Sequence, residues 1–456
     1  MRLSSPLAAL AAVLALLTAC APVPEGAIAS RRAVEAEPLP AMRSFAPRPA
    51  PAPRRSNAEI ARDFLDLAFR LESGREVPQF SRFEGPVTVA LAGRVPPTAG
   101  AELDRLIARL RAEAGIDMRR TGGAAGITIE FLPRARMQAV VPNAACFVVP
   151  RVGSWAGFRA HRRGGRTDWA TLTEREQIAV FIPSDVAPQE VRDCMHEEMA
   201  QALGPLNDLY RLPDSVFNDD NFHTVLTGFD MLILRMTYAP ELRSGMSRAE
   251  VAARLPAILA RLNPQGRGRP DRDPGPTPRA WIDAIETALG PRAGMAERHT
   301  AAYRALEIAQ AQGWTGNRRA FSHFVAARLS AAHELDIAVA HFTEAARIYA
   351  GLPDARIHVA HIDMQMAAFA LATGQAADAL RLAERATPAA AGAENAALLA
   401  TLLMIRAEAL DLMGRPAEAR AARLDSLGWA RYGFGAEATV RRRLAEIGAL
   451  TPAPAS

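Results

Sequence analysis

The chain contains no lysine. All 54 residues counted as Lys or Arg are arginine, set against 49 acidic residues for a formal charge of +5. That excludes a phosphate-loop lysine, a Schiff-base lysine and pyridoxal-phosphate chemistry; a GC-rich coding sequence accounts for the bias. No basic block carries interleaved aromatics, so nucleic acid is not expected as a partner. No apolar run beyond the N-terminal region is long enough to span a bilayer. No serine-centred nucleophile elbow is present, and no glycine-rich phosphate loop follows a strand. Cysteine is limited to three residues.

What is present begins at the N-terminus. Arg2 precedes an apolar run from Leu7 to Leu17, followed by Thr18-Ala19-Cys20. This reads as a signal peptide over residues 1–19 with a lipobox. It resembles bacterial lipoproteins, which implies that Cys20 is acylated and anchors the chain to a membrane. Ala21, in place of aspartate, implies the outer membrane, facing the periplasm. Residues 20–56 are rich in Pro, Ala and Arg and read as an extended tether. With Cys20 lipidated, Cys146 and Cys194 remain. In an oxidising compartment they are expected to pair, pinning a helix to the strand behind it; two buried free thiols are the alternative.

The most informative segment is Cys194-Met195-His196-Glu197-Glu198-Met199-Ala200-Gln201-Ala202-Leu203-Gly204-Pro205-Leu206-Asn207-Asp208. A zinc peptidase needs H-E-x-x-H, because residues i and i+4 share a helix face and two imidazoles then grip one ion. Ala202-Leu203-Gly204 resembles the ending of metzincin-type helices. Aligned on it, Glu197 takes the first ligand position, Glu198 the catalytic glutamate, Gln201 the second ligand and Asn207 the third. His196 is one residue early, and its i+4 neighbour is Ala200. Asp193-Cys194-Met195-His196 does not make a thiol nucleophile, since a side chain at i+2 on a helix points away.

Around this segment the pattern is helix, strands, helix. Ile60, Phe64, Leu67, Ala68 and Leu71 recur at helical spacing after Asn57, a candidate N-cap. Strands are expected at 87–91, 126–132, 145–149 and 178–182, and an amphipathic helix at 102–111. Residues 151–170 read as a surface excursion. The motif helix is expected to start at Pro188 or Gln189. This is also the element order of a zincin N-terminal subdomain. Further on, Phe217 would stand where metzincins place a methionine, and Asp230, Leu234 and Tyr238 resemble the D-x-x-x-L-x-x-x-Y helix that closes matrixin-like domains. Asp214, Asp219 and Asp220 are candidate turn caps.

Residues 57 to about 250 resemble a family of bacterial periplasmic lipoproteins known as a domain of unknown function. The residues that carry this are Ser81-Arg82-Phe83-Glu84-Gly85-Pro86-Val87, Glu197 to Gly204, Asn207-Asp208, Ser215 to Asp220 and the segment from Tyr238 to Met246. The resemblance implies a zincin-like fold over 57–262 and no established activity.

Residues 263–279 are Pro, Gly, Arg and Asp and read as a linker. Residues 280–450 are Ala- and Leu-rich helix with a weak repeat. His333, Gly374 and Gly414 each precede an alanine by five positions, at Ala338, Ala379 and Ala419. This resembles tetratricopeptide repeats, although their period is about 34. The third unit departs from the pattern, carrying Arg423 and Ser426 where small residues are expected.

The fold class expected is therefore an α+β zincin-like domain followed by an all-α tetratricopeptide-like domain. The leading functional reading is non-catalytic binding or scaffolding in the cell envelope, with a protein or peptide partner on the helical repeats and no cofactor. The alternative is a metal-dependent hydrolase in which Glu197, Gln201 and Asn207 hold a divalent ion and Glu198 polarises water, with His196 or His223 adding a ligand. A Glu/Gln/Asn set is hard and oxygen-only, suited to Ca²⁺, Mg²⁺ or Mn²⁺ rather than Zn²⁺. The remaining histidines, at 161 and between 299 and 361, look scattered.

Overall fold

The computed structural model describes residues 38–46 and 48–452. The expected signal peptide and the expected lipidation site Cys20 lie outside the described residues. Among the described residues no helix is long and apolar enough to cross a membrane. The chain divides into two compact units: residues 45–362 with 392–395, and residues 363–391 with 396–456 and the segment up to 44.

The larger unit is built on a five-stranded sheet of order β2-β1-β3-β5-β4. Its strands are β1 (Val87–Gly93), β2 (Met118–Arg120), β3 (Ile127–Leu132), β4 (Phe147–Pro150) and β5 (Ile178–Pro183). Four run parallel; β4 pairs antiparallel to β5 at one edge. The segment Ile-Ala-Val-Phe-Ile-Pro of β5 is buried at every position. Such an unbroken apolar run is what a strand covered on both faces requires. Side chains alternate along it: Ile178, Val180 and Ile182 join the main core, whereas Ala179 and Phe181 join a smaller core behind the sheet.

Helix α1 (Asn57–Phe69) opens this unit. Its N-cap is Ser56 rather than Asn57, because Ser56 and Glu59 form a reciprocal capping box. Helix α2 (Ala99–Ala114) buries Leu103, Leu106, Ile107 and Leu110 and ends at Gly115 with φ 70°, a left-handed conformation that favours glycine. A short helix α3 (Arg134–Gln138) follows β3. The stretch expected to be a surface excursion does more than cross the surface. Helix α4 (Trp155–His161) is capped by Ser154 and buries Trp155 and Phe158 in the smaller core with Phe181. Trp155 also anchors through its backbone N–H, which donates to Glu130 Oε2 at 2.6 Å. Its glycine and arginine content masked two aromatic anchors.

The motif helix is α5 (Pro188–Leu203), followed by α6 (Gly228–Thr237) and α7 (Arg248–Leu262). Cys146, just before β4, and Cys194 on α5 form a disulfide with Cα atoms 6.0 Å apart, the pairing expected of these two cysteines. The segment 48–54, expected to be part of a tether, carries no helix or strand and is fastened: Ala50 N–H donates to Glu113 at 3.1 Å, and Arg55 pairs with Asp63 and Asp214. Gly228 is needed there, since a Cβ at that position would fall 1.7 Å from the Pro51 carbonyl oxygen. The Pro/Gly/Arg segment 263–279 lies inside the larger unit. Arg62 pairs with Asp271, and Arg318 donates to the carbonyls of Gly275 and Pro276 while lying 3.7 Å from the Trp314 ring centroid. Helices α8 (Arg279–Leu289), α9 (Met295–Ala311), α10 (Asn317–Ser330) and α11 (Leu335–Ala350) complete this unit, with the start of α12 (Arg356–Ala372).

The smaller unit holds the end of α12 with α13 (Ala376–Gly392), α14 (Ala396–Leu412), α15 (Pro416–Phe434) and α16 (Glu437–Gly448). Ala379 and Ala419 are fully buried, as Ala338 is in the larger unit. The departure of the third repeat has a physical reason. Arg423 is buried and pairs with Glu408 at 2.8 Å and Asp411 at 2.6 Å, so an ion triad stands where the other units pack small side chains. Close approach persists elsewhere: a Cβ on Gly433 would come within 2.6 Å of Ala397 backbone atoms.

The bridge closes a loop of 48 residues. Replacing Cys146 and Cys194 together by serine is expected to lower the unfolding free energy by about 2–4 kcal/mol, measured by urea unfolding. Wild type in reductant should fall to the variant's midpoint; free thiols at both positions in unreduced protein would remove the basis for the expectation.

Candidate functional site

Helix α5 is buried almost all round although it carries charge throughout. Val191, Cys194, Met195, Met199, Ala202 and Leu203 face the core. Its C-terminal end also lies inside the protein, where the last carbonyls of a helix have no intrahelical partners. Arg175 meets them. Its guanidinium donates to the carbonyls of Gln201 (2.5 Å), Ala202 (2.8 Å) and Gly204 (2.6 Å), and to Ser81 Oγ. The Tyr238 hydroxyl donates to the Leu203 carbonyl at 3.1 Å. Burial lowers Arg175 to about 10, so it remains charged at neutral pH. A cation at a helix C-terminus is also favoured by the helix dipole. Gly204 is required by space: a Cβ there would lie 2.9 Å from Thr237 Cγ2.

The loop after α5 is fixed at several points. Arg211 pairs with Asp63 and Asp66 of α1, and Arg55 joins Asp63 to Asp214. Asp230, at the start of α6, accepts from Ser215 Oγ, Val216 N–H and Thr227 N–H. Burial pushes its carboxyl up to about 6 against those hydrogen bonds. Phe217 is fully buried. Of the three candidate caps, Asp220 accepts from Phe222 N–H and so caps a turn; Asp214 is taken by Arg55. Asp219 sits at φ 64°, a left-handed conformation that aspartate tolerates better than most residues.

The motif residues divide into two sets. His196 Nδ1 accepts from Leu226 N–H at 3.2 Å, and burial, reinforced by Arg192, holds this imidazole well below its usual range. It is a neutral acceptor serving the loop. Asn207 Nδ2 donates to the Asp66 carbonyl at 3.1 Å, which ties the loop to α1. Gln201 is buried, and its backbone carbonyl is taken by Arg175.

Glu197 and Glu198 belong instead to an acidic cluster. Burial, then the charges of Asp219 and Glu72, pushes Glu197 up to about 8. Burial, then Glu197 and Glu72, holds Glu198 well above the carboxylate range. Asp208 is raised well above its range by burial, then by Asp219, Glu72 and Glu197. Burial, then Glu72, brings the Asp219 carboxyl up to about 6 against a hydrogen bond with Tyr210, although the residue as a whole is exposed. Glu198 is 4% exposed, and its Oε2 has no hydrogen-bond partner. Among the described residues, no group of three or more His, Cys, Asp or Glu side chains is placed to hold a metal ion. Glu72 carries no signal in sequence: it stands in a polar turn with no motif around it.

Some of the histidines that looked scattered converge. His223, His358 and His361 are grouped around Phe222, with ring centroids 5.7 Å apart for His223 and His358 and 5.0 Å for Phe222 and His361. His358 Nε2 lies 3.3 Å from Asp220 Oδ2. Burial, then the neighbouring His358, lowers His223 to about 4 and His361 to about 3.

Residues 57–257 match the family model described as "Protein of unknown function (DUF2927)". The chain therefore carries a domain of that family from α1 into α7, followed by a helical region outside the match. No curated protein and no solved structure matches the chain.

Two measurements test this site. Arg175→Met leaves three buried carbonyls without donors and is expected to cost about 3 kcal/mol or more, read as a fall in the urea midpoint. His361 is depressed in the folded state, so its contribution is complete above about pH 6.5 and is lost as pH falls toward its folded value. The raised carboxyls act in the opposite sense. The difference in unfolding free energy between wild type and His361→Gln should therefore shrink between pH 6.5 and pH 4; a constant difference would mean that the imidazole titrates normally.

Proposed function

We propose that this protein is a lipid-anchored component of the outer membrane, facing the periplasm, whose α+β domain is a zincin-like fold used for binding rather than for catalysis. The supporting observations are the sheet with one antiparallel edge strand, α5 lying against it, and the Glu197-Glu198-Met199-Ala200-Gln201-Ala202-Leu203-Gly204 sequence on that helix. The helices of each unit, with buried alanines at Ala338 in the larger and at Ala379 and Ala419 in the smaller, support tetratricopeptide-like packing, which would serve a protein partner.

The observation that carries the non-catalytic reading is how the ligand positions are used. Catalytic zinc takes imidazole, thiolate and carboxylate donors around an open position. Here Asn207 is committed to the Asp66 carbonyl and His196 to Leu226 N–H. The first ligand position is Glu197, held among other carboxyls. The donor set does not fit zinc, and no reaction step is derived through a metal. One observation favours the alternative, a metal-dependent hydrolase: Glu198 occupies the catalytic-glutamate position with a buried, unpartnered oxygen.

Metal analysis separates the two. Protein purified without chelator or affinity-tag metal is equilibrated separately with Zn²⁺, Mn²⁺ and Ca²⁺ and examined by elemental mass spectrometry. The expected result is substoichiometric metal in every case. Stoichiometric metal that is lost on Glu197→Ala or Gln201→Ala would overturn the binding-only reading, as would a hydrolytic activity abolished by Glu198→Gln with the fold intact.

A further inference from the structure

We propose that a cleft on α9 and the start of α11 is a docking site for a peptide segment that carries an arginine between apolar residues. The inference names the partner chemistry for the helical part of the binding reading and rests on that reading.

The cleft lies within the larger unit and has a volume of about 450 Å³. It is lined by His299, Thr300, Tyr303, Arg304 and Glu307 of α9 and by Glu334, which precedes α11. Helix α9 packs inward through small side chains, Ala302, Ala305 and Ala309. At helical spacing the lining residues fall on the face turned away from these alanines.

Tyr303 is the fixed element of the cleft. Its ring centroid lies 4.8 Å from that of His299 and 5.8 Å from that of His341 on α11. Its hydroxyl is 3.5 Å from Ser330 Oγ on α10. His341 is held in turn by His323 of α10, the two Nδ1 atoms lying 2.9 Å apart. Three helices therefore set the position of one aromatic ring, and a ring that is already ordered loses little entropy on binding.

Charge decides the kind of side chain that fits. The lining holds two carboxylates and one guanidinium. Arg304 is taken by Glu307 at 3.1 Å. Glu334 meets the imidazole of His299 at 3.5 Å, which is charged only when protonated. Two residues on, Asp336 is exposed. An anion would meet this surplus of negative charge. A guanidinium finds a carboxylate in Glu334 and rings to stack on in Tyr303 and His299.

The apolar surroundings place that cation on a peptide. Among the described residues six large apolar side chains are exposed, and three of them adjoin the lining residues in the chain: Met295, one turn before His299, and Leu335 and Ile337, just after Glu334. Solitary exposed apolar residues are ordinary, whereas a group beside one cleft marks an interaction surface. From Met295 to Tyr303 the helix rises about 12 Å at 1.5 Å per residue, the span of about four residues of extended chain. A segment with apolar side chains on either side of its cation covers this stretch; a free amine leaves it bare.

Calorimetric titration of the full chain tests this with three blocked hexapeptides: one with arginine between leucines, one with citrulline in place of the arginine, and one with alanines in place of the leucines. Citrulline keeps the shape and removes the charge. The arginine peptide is expected to bind at least about fivefold more tightly than either control, as an exposed ion pair joined to a cation–π contact supplies. Glu334→Gln and Tyr303→Ala should each weaken it severalfold, with circular dichroism and the urea midpoint confirming the fold. Glu418→Gln, which removes an exposed carboxylate of the smaller unit, should leave it unchanged. Glu334 is exposed, so its variant decides the matter even if Tyr303→Ala fails to fold. Equal binding of the arginine peptide and either control, undiminished binding by Glu334→Gln, an equal loss in Glu418→Gln, or no binding at all would overturn the inference while leaving the non-catalytic reading in place. Cleavage of a peptide would instead overturn that reading.

Discussion

A helix that ends inside a protein leaves carbonyl oxygens with no water to bind, and much of the larger unit is arranged around that one requirement. The buried guanidinium of Arg175 serves three such carbonyls at the end of α5, and Tyr238 serves a fourth. Burying an unpaired charge is expensive, so this arrangement persists only because the donors and acceptors match closely. It also ties together three parts of the chain that are far apart in sequence: the segment before β5, the end of α5 and the end of α6. Gly204 belongs to the same solution, because any side chain there would strike Thr237. The Ala-Leu-Gly ending of the motif is thus explained by packing, independently of any metal.

With that end anchored and Cys194 bonded to Cys146, α5 is fixed at two points, and it also carries a conflict of like charges. The charges acting on Glu197, Glu198, Asp208 and Asp219 are all carboxylates, from Glu72 and one another and from Asp193, Asp220 and Glu286. Such a grouping works against stability, and it contrasts with the well-matched pairs a few residues away, where Arg55 and Arg211 are interleaved with Asp63, Asp66 and Asp214. Around α5 the partners are neutral or acidic instead: Asp208 shares a hydrogen bond with Glu72 and Asp219 one with Tyr210, while Glu198 Oε2 has none. Local violations of this kind concentrate at functional sites.

The parts legible in the sequence were those with a local signal. The continuous apolar run of β5, the periodicity of α2, the helix start at Pro188 and the pairing of Cys146 with Cys194 each rest on pattern, spacing or residue count. The illegible parts depend on single residues meeting across long separations. Arg175 lies in the segment Glu174-Arg175-Glu176, which reads as a solvated charge run and proves to be a buried cap. Glu72 lies in a polar turn. His223 and His358 are more than a hundred residues apart and share one buried cluster. Trp155 was obscured because the residues around it are glycine and arginine, although its own ring and that of Phe158 complete the core behind the sheet. Asn57 was displaced as the cap by Ser56, one residue earlier, because only Ser56 has a glutamate at the position that completes the box.

The donor types on the motif helix decide what the site is able to hold. Neutral imidazoles present lone pairs to a metal and carry no charge when the metal leaves. Carboxylates in the same surroundings carry a charge that burial resists, and they shed it only by taking up a proton or by meeting a cation. Glu197, pushed up to about 8, takes the first course at neutral pH, whereas Asp219, at about 6, keeps most of its charge.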